Sequence, residues 1–240
     1  MILVINDGGE TGHEIVKLLL KQSISVCLVE RLPYEKEIID FKDNDGLTIY
    51  NIDFYQAELI EPFIKRNFND KIFTGLVYAA GIGGVRPLGL TQTKFLHEMM
   101  IANVYAYVEW VRCICKKNRF EAGGSVVAIS SVSSIKGLKS KIAYSASKAA
   151  LDAAVRGIAS ELADRKIRVN SIQKGWVSAD MQHGFIQDNM VLSENKDLSK
   201  QVLGVIENID LAKLVIFLLS EDSKFITGTN ILLDGGYCLN

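Results

Sequence analysis

The sequence has few of the residues that build disulfide frameworks, metal clusters or flexible linkers. Its 240 residues include four cysteines, three histidines and three prolines. Cys113 and Cys115 lie two positions apart in a helical pattern, where their side chains point to different faces, and the histidines are scattered, so no metal site is predicted. Free cysteine is among the most often buried residues, and we expect reduced, buried thiols. Because there is no repeat and no proline-rich linker, one domain over residues 1–240 is predicted.

The sequence also lacks an excess of charge of either sign and any long apolar run. The 27 basic and 28 acidic residues give a net charge of −1, and the basic residues form no stripe. Clustered lysine and arginine displace counterions from nucleic-acid phosphates, so nucleic acid is not expected as a partner. No apolar stretch reaches the roughly 20 residues that span a bilayer, and Met1 is not followed by the segments of a signal peptide. We therefore expect a cytoplasmic protein with no membrane partner.

Apolar, β-branched runs alternate along the chain with segments of helical periodicity. Predicted strands cover Ile2–Ile5, Ser25–Val29, Leu47–Asn51, Thr74–Tyr78, Ser125–Ile129, Ile167–Ile172 and Asn230–Leu233. Predicted helices cover His13–Gln22, Gln56–Asn67, Lys94–Lys117, Ala143–Asp164 and Leu211–Ser220. Continuously apolar strands separated by helices indicate a parallel sheet covered on both faces. The pattern predicts an α/β fold, a doubly wound parallel sheet of Rossmann type, with ligands beyond the carboxyl ends of its strands.

One long irregular stretch interrupts this alternation, from about residue 178 to residue 204. It is polar and contains methionine. Loops of that length in a compact domain are usually functional lids or disordered segments. Both interpretations are open, and we favour a lid over a substrate site.

Tyr144 and Lys148 carry the strongest chemical signal in the sequence. They lie four residues apart at the start of a predicted helix, so the phenol and the ammonium share one face. A free phenol has a pKa near 10, too high for efficient proton transfer at neutral pH. A cation about 4 Å away, at an effective dielectric of about 20, favours the phenolate by roughly 4 kcal/mol. Ser131, just after a predicted strand, could hydrogen-bond a substrate carbonyl beside this pair.

The alternative is a packed tyrosine beside a solvated lysine, because Tyr-x-x-x-Lys alone recurs by chance. A wider set of motifs favours the chemical interpretation. They are Tyr144-x-x-x-Lys148 with Ser131 before it, Val77-Tyr78-Ala79-Ala80-Gly81, Asn103 in its helix, Arg168-Val169-Asn170-Ser171, Ile226-Thr227-Gly228 and Leu233-Asp234-Gly235-Gly236. In this order they resemble the short-chain dehydrogenase/reductase family over almost the whole chain, and within it the 3-oxoacyl-carrier-protein reductases.

The resemblance implies an NAD(P)-dependent oxidoreductase that interconverts a carbonyl and a secondary alcohol of a small-molecule substrate. Tyr144 would be the general acid/base, Lys148 would lower its pKa and orient the cofactor ribose, and Ser131 would polarise the carbonyl. Asn103 would hold a water that completes a proton relay. The hydride belongs to the cofactor. The family also implies a homodimer or homotetramer that associates through the two long predicted helices.

The first turn departs from the family's T-G-x-x-x-G-x-G pattern. Asn6 stands at the first glycine and Glu10 at the second, while Gly12 stays in register. Asparagine tolerates left-handed backbone, and the neighbouring Gly8 and Gly9 give the loop further freedom. A side chain at Glu10, however, would occupy the space through which the backbone approaches the pyrophosphate. We therefore expect weaker dinucleotide binding than a turn with all its glycines would give.

Two further departures keep a second function open. Thr11 and Glu14 match a capping box, which would satisfy the helix amides that a phosphate normally uses. In the family's P-G-x-x-x-T stretch, Lys174 replaces the proline and Ala179 the threonine. The alternative to a working oxidoreductase is thus a non-redox scaffold or regulatory subunit that binds dinucleotide poorly. The complete set of proton-transfer residues makes the enzyme the leading interpretation.

The remaining cofactor contacts are implied at the ends of the strands. Glu30 ends the second strand, where an acid accepts the adenosine ribose hydroxyls, whereas the following Arg31 could pair with a 2′-phosphate. NAD is favoured over NADP because the acid occupies the ribose position. Asp53 matches the family's adenine-contacting aspartate. The predicted cofactor-binding residues are Asn6, Gly8, Gly9, Gly12, Glu30, Arg31, Asp53, Ala80, Gly81, Tyr144, Lys148, Gly175 and Val177.

Overall fold

Parallel strands form the central layer of the protein. The computed structural model describes residues 1–31, 44–178 and 199–239. Within these ranges the strands are β1 (Ile2–Asn6), β2 (Val26–Glu30), β3 (Leu47–Asn51), β4 (Phe73–Tyr78), β5 (Phe120–Ser131), β6 (Arg168–Lys174) and β7 (Asn230–Leu233). They lie in the order β3-β2-β1-β4-β5-β6-β7, and every neighbouring pair is parallel. The predicted doubly wound sheet is confirmed.

Helices cover both faces of this sheet. They are α1 (Glu10–Lys21), α2 (Ile60–Asn67), α3 (Thr93–Met100), α4 (Ala106–Ile114), α5 (Ile142–Leu162) and α6 (Asn208–Leu219). On one face α1 and α6 pack together, and Ile15 and Leu211 join a buried apolar cluster with Val4. On the other face Trp110 of α4 and Leu151 of α5 belong to a second cluster. Since successive strand residues point to opposite faces, the two clusters explain why the strands are apolar throughout.

Most predicted elements differ from the structure by one to four residues at their ends, and two differ more. The predicted helix Lys94–Lys117 consists of α3 and α4 joined by a π turn, Ile101–Tyr105, and it ends at Ile114. β5 begins at Phe120 rather than Ser125, and its pairing with β4 contains a register shift. Two glycines in that stretch concealed the strand, because glycine is uncommon inside strands. Neither change alters the order of the elements.

The topology brings several chain segments to one edge of the sheet. All carboxyl ends of parallel strands meet there, and the strand order reverses between β1 and β4. Such a reversal is where open α/β sheets bind their ligands. Asp7 follows β1, Gly81 follows β4, Ser131 ends β5 and Gly175 follows β6. Any ligand at this edge would therefore contact residues that are far apart in sequence.

The cysteines agree with the prediction of reduced, mostly buried thiols. All four are free, with Cys27, Cys113 and Cys115 buried and Cys238 partly buried. Burial raises the pKa of Cys115 to about 12, so its thiol stays protonated and unreactive at neutral pH. Within the three described ranges, no helix combines the length and apolarity needed to cross a bilayer.

Candidate active site

A cavity of about 210 Å³ lies at the carboxyl edge of the sheet. Its wall joins the segments after β1, β4, β5 and β6 to the start of α5. Seven predicted site residues line it: Gly9, Ala80, Gly81, Ser131, Tyr144, Lys148 and Gly175. Its wall also contains residues to which no role was assigned from the sequence, among them Asp7, Thr11, Lys141 and Trp176. The proton-transfer residues and the glycine turn thus face one space.

Tyr144 and Lys148 lie one turn apart at the start of α5. The Lys148 Nζ is 5.8 Å from the centre of the Tyr144 ring and donates a hydrogen bond to the Ile129 carbonyl at 2.9 Å. Lys148 is buried, whereas Tyr144 is half-buried at the cavity wall. The predicted placement of the pair on one helix face is confirmed. A cation fixed in a low-dielectric wall favours an ionised neighbour.

Ser131 completes the polar part of the wall. It ends β5, where it pairs with Lys174 of β6, and only 7% of it is exposed. Its Oγ accepts a hydrogen bond from the Ser133 amide at 3.2 Å. A hydroxyl has one donor and two acceptor sites, so this contact leaves the O–H able to donate to an oxygen in the cavity.

Asn103 lies in the π turn and connects two parts of the wall. Its Oδ1 accepts from the Ile82 amide at 2.9 Å, and its Nδ2 donates to the Ile82 carbonyl at 3.0 Å and to the Ser147 hydroxyl at 2.8 Å. Ser147 in turn donates to the Tyr144 carbonyl. The side chain therefore ties the segment after β4 to α5. The relay role of Asn103 stays a prediction, and a relay through its side-chain amide would break these contacts.

Tyr78, which stands where the family has asparagine, stabilises the same π turn. Its hydroxyl is fully buried and donates to the Ala102 carbonyl at 2.6 Å. A π turn shifts the helical hydrogen bonds by one residue, so this bond helps to satisfy the irregular backbone. Burial raises the pKa of Tyr78 well above its usual range. The hydroxyl therefore remains a donor, and its role is structural.

The Asn6 side chain fills the interior of the altered glycine turn. Gly8 has φ +88°, a conformation that favours glycine. The Asn6 Nδ2 donates to the Gly9 carbonyl at 3.0 Å. A Cβ at position 12 would lie 2.2 Å from the Asn6 Oδ1, so Gly12 makes room for the asparagine side chain. Asn6 has no exposed surface and is not part of the cavity wall, so its contact with a cofactor stays a prediction.

The predicted capping box is wrong. α1 begins at Glu10 with Gly9 as N-cap, and no side chain caps it. Thr11 instead donates from Oγ1 to the Asn208 Oδ1 at 3.0 Å, because it lies inside the first turn. Glu10 is partly exposed and is absent from the cavity wall, where the sequence had suggested a clash with the pyrophosphate. An acid in the first turn also complements the helix dipole.

Asp7 is a residue of the cavity wall to which the sequence analysis assigned no role. Its Oδ2 accepts from the Gly81 amide at 2.9 Å and from the Tyr55 hydroxyl at 3.0 Å. Burial raises the pKa of the Asp7 carboxyl, and its hydrogen bonds with Gly81 and Tyr55, followed by the charge of Lys148, oppose that rise. The only available signal was its position, directly after β1 at the ligand-binding edge. A fixed, poorly solvated carboxylate thus lines the cavity.

Glu30 has a different environment from the one predicted. Its side chain has no exposed surface. The Oε1 accepts from the Asn6 Nδ2 at 3.1 Å and lies 2.7 Å from the His13 Nε2. The prediction that Glu30 accepts ribose hydroxyls therefore requires the carboxylate to leave this network.

Arg31 and Asp53 lie together beyond β2 and β3, outside the cavity wall. The Arg31 Nη1 is 3.5 Å from the Asp53 Oδ1. The Arg31 guanidinium also stacks on the Tyr55 ring, 4.5 Å from its centre. Since Tyr55 bonds to Asp7, these contacts connect the two predicted cofactor residues to the carboxylate inside the cavity.

The segment that returns from the predicted lid is fastened to the end of β6. The Gln201 side chain accepts from the Trp176 amide at 2.9 Å and donates to the carbonyls of Trp176 and Gly204 at 3.0 and 2.7 Å. A Cβ at position 175 would lie 2.5 Å from the Gln201 Oε1, which explains Gly175. The Trp176 ring, with the Lys141 ammonium 4.6 Å from its centre, forms the adjacent wall.

The other predictions for this region have mixed outcomes. Val177 is fully buried and forms a bridge with Ile206, so its side chain does not line the cavity. Ala179 and residues 180–198, which include most of the predicted lid, lie outside the described residues. The lid therefore stays a prediction.

A buried polar network holds the elements of the site together. Asp152, one turn after Lys148 on α5, accepts from the Ser171 hydroxyl at 2.7 Å and from the Gln173 Nε2 at 2.8 Å. Gln173 also donates to the Ser134 hydroxyl at 2.9 Å. Asp152 is only 3% exposed. One carboxylate thus joins α5, β6 and the turn after Ser131.

The residues around the cavity have the chemistry that a nicotinamide dinucleotide needs. A Cβ at position 9 would meet only side-chain oxygens, at 3.5 and 3.6 Å, so the space above this backbone is open at the start of α1, where phosphates bind well. A Cβ at position 81 would lie 3.2 Å from the Lys148 Nζ, and Gly81 therefore keeps the space beside the lysine clear. The tyrosine and serine lie in the same wall. The residues present suit a pyrophosphate at the turn and a nicotinamide beside Tyr144.

The fold and this site define a class, the dinucleotide-binding oxidoreductases with a Ser–Tyr–Lys centre. A family model described as enoyl-(acyl carrier protein) reductase matches residues 11–238. Carbonyl reductase family member 4 of Danio rerio is 36% identical over 231 residues, 95% of this chain and 88% of that protein. The 3-oxoacyl-[acyl-carrier-protein] reductase of Mus musculus is 34% identical over 67% of this chain and 64% of that protein. The chain belongs to the short-chain dehydrogenase/reductase family.

Solved structures agree with this assignment. A 4-hydroxyisoleucine dehydrogenase complexed with NADH is 25% identical, with a TM-score of 0.85 and full coverage of both chains. A short-chain dehydrogenase family protein from Francisella tularensis, at 24% identity, has the same TM-score and the same fold. The chain is therefore an oxidoreductase that acts between an alcohol and a carbonyl with NAD or NADP.

Proposed function

We propose that this enzyme reduces a carbonyl to a secondary alcohol, and catalyses the reverse reaction, with Tyr144 as general acid/base. The observation that carries the proposal is the single cavity shared by Ser131, Tyr144, Lys148 and the turn at Gly9. Among substrates we propose 3-oxoacyl thioesters first, because relatives over two thirds of the chain bear that activity in their names.

In the direction of reduction, the side chains handle the proton and the oxygen. When bound, the nicotinamide supplies a hydride to the carbonyl carbon. Tyr144 donates its hydroxyl proton to the carbonyl oxygen, and the Ser131 O–H holds that oxygen while negative charge develops on it. The Lys148 cation stabilises the phenolate that remains. The alcohol leaves, and Tyr144 regains a proton from solvent.

We propose NAD as the preferred cofactor. The dinucleotide would be held by the open backbone at Gly9, the first amides of α1, and Lys148. Asp7 and Asp53 surround the region beyond β1 to β3, and acids there favour ribose hydroxyls over a 2′-phosphate. Arg31, the one cation predicted to favour NADP, is paired with Asp53 and stacked on Tyr55.

Separate calorimetric titrations with NADH and NADPH test this proposal. We expect the wild type to bind NADH more tightly. Glu10→Gly should change the affinity less than about fivefold, because a charge outside the cavity wall contributes less than about 1 kcal/mol. Glu10→Gln serves as the control for charge alone. Tight binding only in Glu10→Gly would instead favour the non-redox scaffold. Reduction of a 3-oxoacyl thioester by the wild type then tests the substrate class.

We also propose that the protein is cytoplasmic and forms a homodimer or homotetramer. The subunits would associate through α5 and through α3 and α4, which correspond to the two long predicted helices. Exposed Ala146, Ala153 and Gly157 follow helical spacing on α5, and small residues let a second helix approach closely. Val108 is exposed on α4. Sedimentation should give a dimer or larger species, and Gly157→Arg should shift it toward the monomer. A monodisperse wild-type monomer would refute the assembly.

A further inference from the structure

The end of β2 presents no acid to the cavity. The Glu30 carboxylate is fully buried, and its Oε1 is shared by Asn6 and His13. Its Oε2 is buried without a hydrogen-bond partner. To reach a ribose, this carboxylate would have to give up both contacts and rotate out of the protein. A carboxylate that is already exposed to the cavity would bind a hydroxyl at lower cost.

Asp7 is such a carboxylate, on the neighbouring strand. It lines the cavity together with Gly9, and its Oδ1 lies 3.5 Å from the point that a Gly9 Cβ would occupy. The Oδ2 is fixed by the Gly81 amide and the Tyr55 hydroxyl. The side chain is therefore held in one orientation, with one oxygen bound to the protein and the other directed toward the glycine turn. An acceptor that is already oriented loses little entropy on binding.

The charges around Asp7 favour a hydroxyl over a phosphate as its ligand. A phosphate oxygen cannot donate to a carboxylate and would be repelled by it. Arg31 stacks on Tyr55 and lies 3.5 Å from the Asp53 carboxylate, and Lys148 lies on the side of Gly81. A sugar hydroxyl supplies the donor that a poorly solvated carboxylate needs. The adenosine half of a dinucleotide lies over β1 and β2 in doubly wound sheets, next to Asp7.

We infer that Asp7, and not Glu30, is the acid that accepts a hydroxyl of the adenosine ribose. The inference rests on the proposed binding of a dinucleotide in this cavity. It assigns Glu30 a structural role, in which the carboxylate holds Asn6 and His13 beneath the turn. The specificity for the ribose would then depend on the turn after β1 rather than on the end of β2.

Calorimetry tests this assignment without an activity measurement, by combining substitutions in the protein with analogues of the cofactor. NADH and its analogues with 2′-deoxy or 3′-deoxy adenosine are titrated into the wild type, Asp7→Ala and Glu30→Gln. We expect one deoxy analogue to bind the wild type about 10- to 30-fold more weakly, as for a hydrogen bond to a charged group. Asp7→Ala should bind NADH correspondingly weakly and should no longer distinguish it from that analogue. Glu30→Gln should still distinguish them.

Each other outcome overturns a defined part of the proposal. If Asp7→Ala still distinguishes NADH from both analogues, or if Glu30→Gln loses the distinction, the assignment to Asp7 is wrong. If the wild type binds no nicotinamide dinucleotide, the proposed function fails and the inference with it. If the alanine variant does not fold, Asp7→Asn, which keeps an oxygen for the Gly81 amide, is titrated with the same three ligands. We then expect a smaller difference in affinity between NADH and the deoxy analogue than in the wild type.

Discussion

Tyr144→Phe should lower the turnover number for carbonyl reduction by about 10³-fold while NADH binding stays within a few-fold of the wild type. General acid/base catalysis typically contributes about 10²- to 10⁴-fold, and the centre of the Tyr144 ring lies 5.8 Å from the Lys148 Nζ in the cavity wall. The substitution removes one oxygen and preserves the ring. Steady-state kinetics with a 3-oxoacyl thioester, combined with calorimetry for the cofactor, measures both quantities.

Tyr105→Phe is the matched control for this experiment. Tyr105 is 44% exposed and lies in the π turn, so the same change there should leave turnover and binding unaltered. A loss in kcat with an unchanged Kd separates loss of the proton donor from misfolding, which would weaken both. Undiminished activity of Tyr144→Phe would eliminate the assigned mechanism, and the proton donor would then have to be sought among the other hydroxyls of the wall, Ser131, Ser133 and Thr11.

The parts of the fold that follow from local periodicity were predicted well. β3 and β7 have the predicted bounds because each is a short stretch of β-branched, aromatic or aliphatic residues next to polar ones, and such stretches are defined by their own sequence. The π turn within Lys94–Lys117 was not foreseen. It involves a hydrogen bond from Tyr78, on β4, to the Ala102 carbonyl. Helical periodicity contains no information about a contact of that kind.

The residues of the site were likewise predictable where their signal is local in sequence, and not where it depends on distant contacts. Tyr144 and Lys148 could be recognised because one helical turn separates them, and Ser131 because it ends a strand. Asp7 could not, since its partners Tyr55 and Gly81 are 48 and 74 residues away in sequence. Its role becomes visible only when the carboxyl ends of the parallel strands are brought to one edge.

The altered turn shows how substitutions that look damaging in isolation can compensate one another. Asn6 fills the space over Gly12 and bonds to the Gly9 carbonyl and to Glu30. Glu30 is fully buried in these contacts, so the acid to which the sequence had pointed is not part of the cavity wall. Helix α1 begins at Glu10, whose side chain lies outside the cavity wall. The turn differs from the family pattern in sequence but retains open backbone at Gly9.

Asp152→Ala should reduce the free energy of unfolding by about 3–5 kcal/mol. The substitution removes the acceptor of two buried hydrogen bonds, from Ser171 and Gln173. Bonds to a charged group contribute about 1.5–3 kcal/mol each, and the donors left behind are buried and lose hydration as well. Denaturant unfolding measured by circular dichroism determines the change, as a lower midpoint at an unchanged slope.

Asp164→Ala provides the matched control, because Asp164 is exposed just beyond the same helix and its removal should change stability by less than about 0.5 kcal/mol. Equal effects of the two variants would mean that charge, rather than the buried network, determines the loss.

The network also predicts a kinetic effect. Gln173 connects Asp152 to Ser134, in the turn that follows Ser131, so a folded Asp152→Ala enzyme should have a lower kcat than Asp164→Ala at saturating NADH. The buried carboxylate would then stabilise the fold and hold the serine against the tyrosine and lysine, although it contacts none of the reacting atoms.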